Sequence, residues 1–127
     1  MSNQHQAANE SAIHYPLGDQ LPLIGQSIEV APGVRWLRMR LPFALDHINL
    51  WLLRDQFDGV EGWTIVDCGI ANDETKASWE SIFSTQLEGL PVLRVLVTHM
   101  HPDHIGLSQW LCEKWNVPLW ISMTDYL

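Results

Sequence analysis

The sequence predicts an α/β (α+β) fold in which one β-sheet is covered by helices on at least one face. Its 127 residues, of which 46% are hydrophobic, are enough for one modest core and too few for two independent domains. Patterns typical of strands come first along the chain, and helix and strand patterns then alternate. That order is typical of a sheet with helices packed against it.

Three strands are predicted in the first half of the chain. Residues 34–41 alternate polar and apolar side chains, as a half-exposed strand does. Residues 47–53 and 62–67 are two further strands, and the Asp58-Gly59 pair between them predicts an antiparallel connection. Residues 1–28 carry prolines and glycines among polar residues, which predicts a loose N-terminal arm, with the packed domain in residues 29–127.

Helices alternate with strands in the second half. A helix should begin at Asn72, with acidic residues in its first turn, and end before Gly89 and Pro91. Residues 92–97 are short, branched and apolar on both faces, as expected of a buried central strand. A second helix is predicted over residues 103–115, and a last strand over residues 119–122.

Charge and composition disfavour several classes of partner. Fifteen acidic against seven basic residues give a formal net charge of −8, which disfavours a nucleic-acid or anionic membrane surface. The first 20 residues lack the basic and apolar regions of a secretory signal, and no apolar run approaches the roughly 20 residues that span a bilayer. Two cysteines do not form a disulfide framework, so we expect a reducing, cytoplasmic setting.

The chemistry of the sequence is concentrated directly after the predicted buried strand. His99, His101, Asp103 and His104 are four residues capable of binding metal in the spacing His-x-His-x-Asp-His. Neutral imidazole and carboxylate groups suit zinc, iron or manganese. The carboxyl end of a central strand is also where α/β sheets place their ligands. The alternative, four histidine and aspartate residues without a ligand role, is disfavoured by their density.

Local geometry divides the cluster into two pairs. Residues two apart in an extended segment point the same way, so His99 and His101 can share one metal ion. Pro102 then turns the backbone, and Asp103 and His104 can face a second ion. A pair of ions roughly 3.5 to 4 Å apart can clamp one bridging hydroxide, which forms near neutral pH because metal lowers the pKa of bound water to about 7.

Asp67, at the end of the strand over residues 62–67, is a further candidate. Its carboxylate could accept the free ring N–H of a metal-bound histidine, which would fix the tautomer of that ring. The alternative is that Asp67 caps the turn at Gly69, and both interpretations are open at this point. Cys68 is predicted to be a small buried hydrophobic residue and not a nucleophile.

These residues resemble the metallo-β-lactamase fold superfamily. His99, His101, Asp103 and His104 match its His-x-His-x-Asp-His signature, and Val66-Asp67-Cys68-Gly69 resembles its first motif. The resemblance extends from about Gly33 to Ile121. Within that superfamily, the resemblance is more specifically to glyoxalase-II-like hydrolases, and it lies in residues 41–53 and 99–106.

The resemblance implies the first half of a four-layer αββα sandwich, with a mixed sheet and helices on one face. The later half of that fold supplies a third histidine, a bridging aspartate and a last histidine. No histidine follows His104 here, and Asp125 is too close to the cluster in sequence for the later role. Each metal would therefore receive two ligands from this chain where three or four are expected. We accordingly expect that Leu127 ends a truncated chain, whose uncovered sheet face could support a homo-oligomer.

The implied activity is that of a metal-dependent hydrolase. In a complete homologue, two Zn²⁺ ions, with Fe or Mn as alternatives, would present hydroxide to the carbonyl of a small ester, thioester or lactone. Asp103 and Asp67 are the predicted catalytic carboxylates, the first as a metal ligand and the second as the orienting group. Phosphodiester cleavage, β-lactam hydrolysis and di-iron electron transfer are weaker alternatives. A catalytically incompetent fragment that self-associates is the main alternative from another class.

Overall fold

The computed structural model describes residues 20–42 and 47–122, and these form one mixed β-sheet with helices on one face. Six strands lie in the sheet in sequence order. The first four are antiparallel neighbours, whereas the last three run parallel, so the predicted mixed sheet is confirmed. The strands are β1 (Ile28–Ala31), β2 (Val34–Arg40), β3 (His47–Phe57), β4 (Val60–Val66), β5 (Val92–Val97) and β6 (Leu119–Ile121).

Three helices connect the parallel strands: α1 (Asp73–Thr85), α2 (Pro102–Ile105) and α3 (Ser108–Trp115). At the start of α1, the side chain of Asn72 accepts a hydrogen bond from the Thr75 backbone N–H at 2.8 Å, as an N-cap does. The prediction of a single helix over residues 103–115 is wrong, because two helices lie there. Leu107 leaves the helical conformation, with φ −99° and ψ 16°, and this break redirects the chain between α2 and α3. No helix of the described ranges is long and apolar enough to cross a bilayer.

The hydrophobic core lies between the sheet and the two longer helices. Buried side chains alternate with more exposed ones from Leu37 to Met39 in β2 and from Ile48 to Leu52 in β3, which is the period of a strand with one covered face. From the helix side, Trp79 and Ile82 of α1 and Leu111 of α3 are fully buried. The sheet residues that meet them include Leu37, Met39, Leu50, Leu52, Trp63, Ile65, Val95 and Val97.

The opposite face of the sheet carries an ion pair among aromatic side chains. Arg94 Nη2 lies 2.7 Å from Asp55 Oδ2, and the Thr64 hydroxyl donates to the same oxygen at 2.5 Å. The hydrogen bond from Thr64 is the largest cause that holds the pKa of Asp55 below its usual range, and Arg94 lowers it further. The guanidinium of Arg94 also lies over the rings of Phe57 and Trp120, at 4.7 and 5.4 Å from their centroids.

The sequence pattern missed β1, a strand of four residues that ends at a turn. In the described part of the predicted arm, the Ser81 hydroxyl donates to the Gly25 carbonyl at 3.1 Å. The Ser27 hydroxyl donates to Gln86 Oε1 at 2.7 Å. The packed part of the chain thus begins within the predicted arm, while residues 1–19 of that arm lie outside the described residues.

One inserted residue sets the register between β4 and β5. Trp63 is opposite Val92 but Thr64 is opposite Arg94, so Leu93 is an extra residue in β5, as in a β-bulge. Its side chain lies over Gly62, where an added Cβ would be 2.8 Å from Leu93 Cγ and closer still to the Pro91 carbonyl oxygen. Glycine is therefore required in β4 at that point.

Candidate metal centre

The candidate metal centre lies where β4 and β5 end. Because these strands are parallel neighbours, Asp67 after β4 and Thr98 after β5 emerge at the same edge of the sheet. The backbone N–H of Asp67 still donates to the Leu96 carbonyl at 2.8 Å, so the pairing extends to the first residue of the site. The histidine loop, which we define as residues 98–106, continues from there into α2.

The three imidazoles of the histidine loop lie close together. The ring centroids of His99 and His101 are 5.8 Å apart and their planes are nearly parallel, at 4°. The centroid of His99 is 4.9 Å from that of His104. Asp103 Oδ1 lies 3.8 Å from His104 Nε2. His99 and His101 are exposed, whereas Asp103 and His104 are half-buried.

Asp67 connects the end of β4 to the histidine loop through its side chain. Only 4% of the residue is exposed. Its Oδ1 accepts the Thr98 backbone N–H at 2.8 Å, and its Oδ2 accepts the Thr98 hydroxyl at 2.7 Å. The same Oδ2 lies 2.9 Å from His104 Nδ1. These three contacts run to the histidine loop, which favours the ligand-orienting interpretation of Asp67 over the turn-capping one.

The contact with Asp67 determines which nitrogen of His104 can bind metal. An ionised carboxylate only accepts hydrogen bonds, so Nδ1 must carry the proton in this pair. In the neutral ring Nε2 then has the free lone pair. Nε2 is also the nitrogen on the side of Asp103, and the two could bind one ion.

The backbone after Asp67 is held against the histidine loop as well. Asp67 itself has a left-handed backbone, with φ 67°, which is uncommon for a residue other than glycine. The next backbone N–H, that of Cys68, donates to the His104 carbonyl at 2.7 Å. The Cys68 carbonyl accepts the indole N–H of the buried Trp79 at 2.8 Å. The turn after β4 is therefore fixed between α1 and the histidine loop.

Gly106 lets the histidine loop and the turn after β4 approach each other. Its backbone is helical, so no special conformation requires glycine. An added Cβ, however, would lie 2.5 Å from the Pro102 carbonyl oxygen and 2.8 Å from both the Gly69 oxygen and the Ala71 nitrogen. All three neighbours are backbone atoms, which cannot move aside as a side chain can. Close packing of the loops thus requires glycine at this position.

Cys68 is fully buried beside Asp67. Burial raises the pKa of its thiol far above the ordinary value, and the charge of Asp67 raises it further. The thiol therefore stays protonated at neutral pH, which agrees with the predicted role of a small buried hydrophobic residue.

The donor chemistry of the cluster fits a metal ion, but its ligands do not form a complete cage. No group of three or more His, Cys, Asp or Glu side chains in residues 20–42 and 47–122 is arranged to hold one ion. Instead, His99 and His101 form one close pair, and Asp103 and His104 form another. Because a catalytic zinc ion uses three protein ligands, each pair supplies part of a ligand set.

A family model described as the metallo-beta-lactamase superfamily matches residues 44–127. A beta-lactamase domain protein from Burkholderia ambifaria is 63% identical and superposes with a TM-score of 0.84 over 88% of this chain. A metallo-beta-lactamase from Pontibacter korlensis is 18% identical with a TM-score of 0.57 over 79% of this chain, a likeness of fold alone.

The match to a curated relative covers a shorter stretch of this chain. The probable metallo-hydrolase YqgX of Bacillus subtilis (strain 168) is 40% identical over 38 residues, which are 30% of this chain and 18% of that protein. The chain also spans only part of the two solved structures, 36% of the Burkholderia chain and 44% of the Pontibacter chain.

Proposed function

Because the chain belongs to the metallo-beta-lactamase superfamily, we propose that it is the metal-binding portion of a metal-dependent hydrolase. The observation that carries the proposal is the 2.9 Å contact between Asp67 Oδ2 and His104 Nδ1, beside the other histidines. A buried carboxylate that fixes the tautomer of one imidazole is the usual support of a metal-binding histidine. If the histidines had no ligand role, there would be no evident need for a buried carboxylate to fix the tautomer of His104.

Each of the four cluster residues has a role in this proposal. His99 and His101 would hold one ion, and Asp103 with His104 would hold a second. Zinc suits these nitrogen and oxygen donors, as do iron and manganese. Asp67 is a positioning residue, since it acts through His104.

The proposed reaction is hydrolysis of an ester, thioester or lactone carbonyl in a small molecule. A bound metal would supply Lewis acidity toward the carbonyl and lower the pKa of water. Residues of this chain hold the donors in place, and the net charge of −8 disfavours nucleic-acid substrates. The two free cysteines, Cys68 and Cys112, agree with the reducing, cytoplasmic setting that belongs to this proposal.

Zinc titration of the purified chain tests the ligand assignment. His101→Ala should weaken zinc binding at least about tenfold, because one of the two donors to its ion is lost. His47→Ala is the matched control, since His47 is an exposed histidine at the start of β3. Equal zinc affinity in wild type and His101→Ala would remove His101 from the ligand set.

Chromogenic ester, thioester and lactone substrates test the reaction. In a complete hydrolase that contains this portion, turnover should require added zinc, disappear with a chelator and fall in His101→Ala but not in His47→Ala. Turnover that persists in the chelator would exclude a metal-dependent reaction.

The alternative function is self-association of a chain without catalysis. It is favoured by the sheet face on which residues 20–42 and 47–122 place no helix, where Trp120 is 46% exposed beside Phe57 and Arg94. A second copy would bury this aromatic surface. Sedimentation velocity should then show a dimer that Trp120→Glu dissociates, whereas a monomer at all concentrations would rule this alternative out.

A further inference from the structure

We propose that Thr98 is a positioning residue of this centre, whose hydroxyl holds the Asp67 carboxylate in the orientation that keeps the Nε2 lone pair of His104 available for metal. The proposal rests on the metal centre proposed above. It adds to that centre a residue that neither binds metal nor contacts the imidazole.

Thr98 contacts both oxygens of the Asp67 carboxylate. Its backbone N–H donates to Oδ1 at 2.8 Å and its hydroxyl donates to Oδ2 at 2.7 Å. A carboxylate held at one oxygen can still turn about its terminal torsion, which is broad. Held at both oxygens, the carboxylate keeps Oδ2 directed at His104 Nδ1.

The direction of the hydroxyl hydrogen bond is fixed by its acceptor. Because the ionised carboxylate cannot donate, the Thr98 hydroxyl must donate to Oδ2. Oδ2 then receives two donors, the hydroxyl and Nδ1–H of His104. Asp67 is only 4% exposed, so water has little access to replace a lost donor.

Shape alone does not account for threonine at this position. Valine has nearly the same shape and equal stiffness at χ1, and either β-branched residue suits the end of a strand. The two residues differ in the hydroxyl, which donates to the Asp67 carboxylate. Thr98→Val therefore removes the hydroxyl to which we assign the positioning role and keeps the packing.

The decisive measurement is the tautomer of His104 in the metal-free chain. Long-range ¹H–¹⁵N NMR correlation of the ¹⁵N-labelled protein at pH 8 distinguishes Nδ1–H from Nε2–H rings, with His104 assigned from its missing signals in His104→Gln. Wild type should show the Nδ1–H form. Thr98→Val should show a mixture with the Nε2–H form, and Thr98→Ser, which keeps the hydroxyl, should restore the wild-type spectrum.

Zinc affinity provides the second measurement. Changes beyond the ligands commonly weaken metal binding 10- to 100-fold, and Thr98 acts one residue further out, so Thr98→Val should cost about tenfold. Thr64→Val is a matched control, because the Thr64 hydroxyl also donates to a carboxylate, that of Asp55 on the other face of the sheet. This control should lose stability but keep the His104 tautomer and the zinc affinity.

The outcomes separate this proposal from the one on which it rests. If wild type binds no zinc, the metal centre is wrong, while the tautomer spectra still decide the role of Thr98. If Thr98→Val keeps the Nδ1–H form, Thr98 is not a positioning residue, whatever the zinc affinity. Should the valine variant fail to fold, Thr98→Ala removes the same hydroxyl and is judged by the same spectra.

Discussion

Replacing Gly106 by alanine should destabilise the chain and disturb the candidate metal centre together. The new methyl carbon would lie 2.5 Å from the Pro102 oxygen and 2.8 Å from atoms of Gly69 and Ala71. Overpacking of this kind costs about 1 to 3 kcal/mol, and three rigid backbone neighbours place the cost near the upper end. Alanine recovers up to about 1 kcal/mol of helix propensity. The net loss should be about 2 kcal/mol.

Urea unfolding gives the assay for this loss. The midpoint should fall while the slope of free energy against urea stays constant, since the unfolded chain is little changed. A loss of this size corresponds to a lower melting temperature by about 8 °C for a chain of this length. The ring signals of His104 should shift as well, because its carbonyl accepts the Cys68 N–H across the same loop contact.

Gly59→Ala is the control for this experiment. Gly59 has φ 76° and no atom within 4 Å of an added Cβ, so alanine there costs about 1 to 2 kcal/mol through its left-handed backbone alone. It should leave the His104 signals unchanged. Our reasoning is refuted if Gly106→Ala matches wild type in both unfolding midpoint and His104 signals.

Three further predictions concern buried or paired groups. Asp67→Asn should place an amide donor beside His104 Nδ1, reverse the tautomer of His104 and weaken zinc binding about 10- to 100-fold. Unchanged zinc affinity would support the turn-capping interpretation of Asp67 instead. Because the pKa of Asp55 is lowered by its hydrogen bonds, its contribution is present above about pH 4 and is lost as pH falls through the folded pKa. The unfolding free energy should therefore decline below about pH 4 in wild type and less steeply in Asp55→Asn, by urea titration at each pH; parallel declines would contradict this. Cys68 should resist alkylation until urea unfolds the chain, whereas the half-buried Cys112 should react sooner, and equal native rates would contradict the burial argument.

Much of the sheet could be predicted because its signals are local. The alternation in β2 and β3, the Asp58-Gly59 turn and the apolar run of β5 each depend on neighbouring residues. The break between α2 and α3 could not, because residues 103–115 read as one helical pattern. The need for glycine at position 106 arises in part from its close approach to Gly69 and Ala71, which are distant in sequence.

The sequence predicts which residues form the candidate site better than it predicts the hydrogen bonds between them. The spacing of His99, His101, Asp103 and His104 is visible in the sequence, and so is the possibility that Asp67 accepts a ring N–H. In the structure, Asp67 Oδ2 lies 2.9 Å from His104 Nδ1. The sequence gives no indication of the role that we propose for Thr98. Its hydroxyl carries no signal of its own in the sequence, because only the parallel pairing of β4 and β5 brings it within hydrogen-bond distance of Asp67.

The bulge at Leu93 sets from a distance where the histidine loop lies relative to Asp67. If β4 and β5 paired regularly, Leu93 would be opposite Thr64, and every later residue of β5 would be shifted by one position along β4, about 3.3 Å, with the two faces of the sheet exchanged. Thr98 would then be displaced from Asp67, and the imidazoles beyond it would be presented in another direction. A change in strand pairing far from any candidate ligand would thus move the whole histidine loop without altering one donor atom.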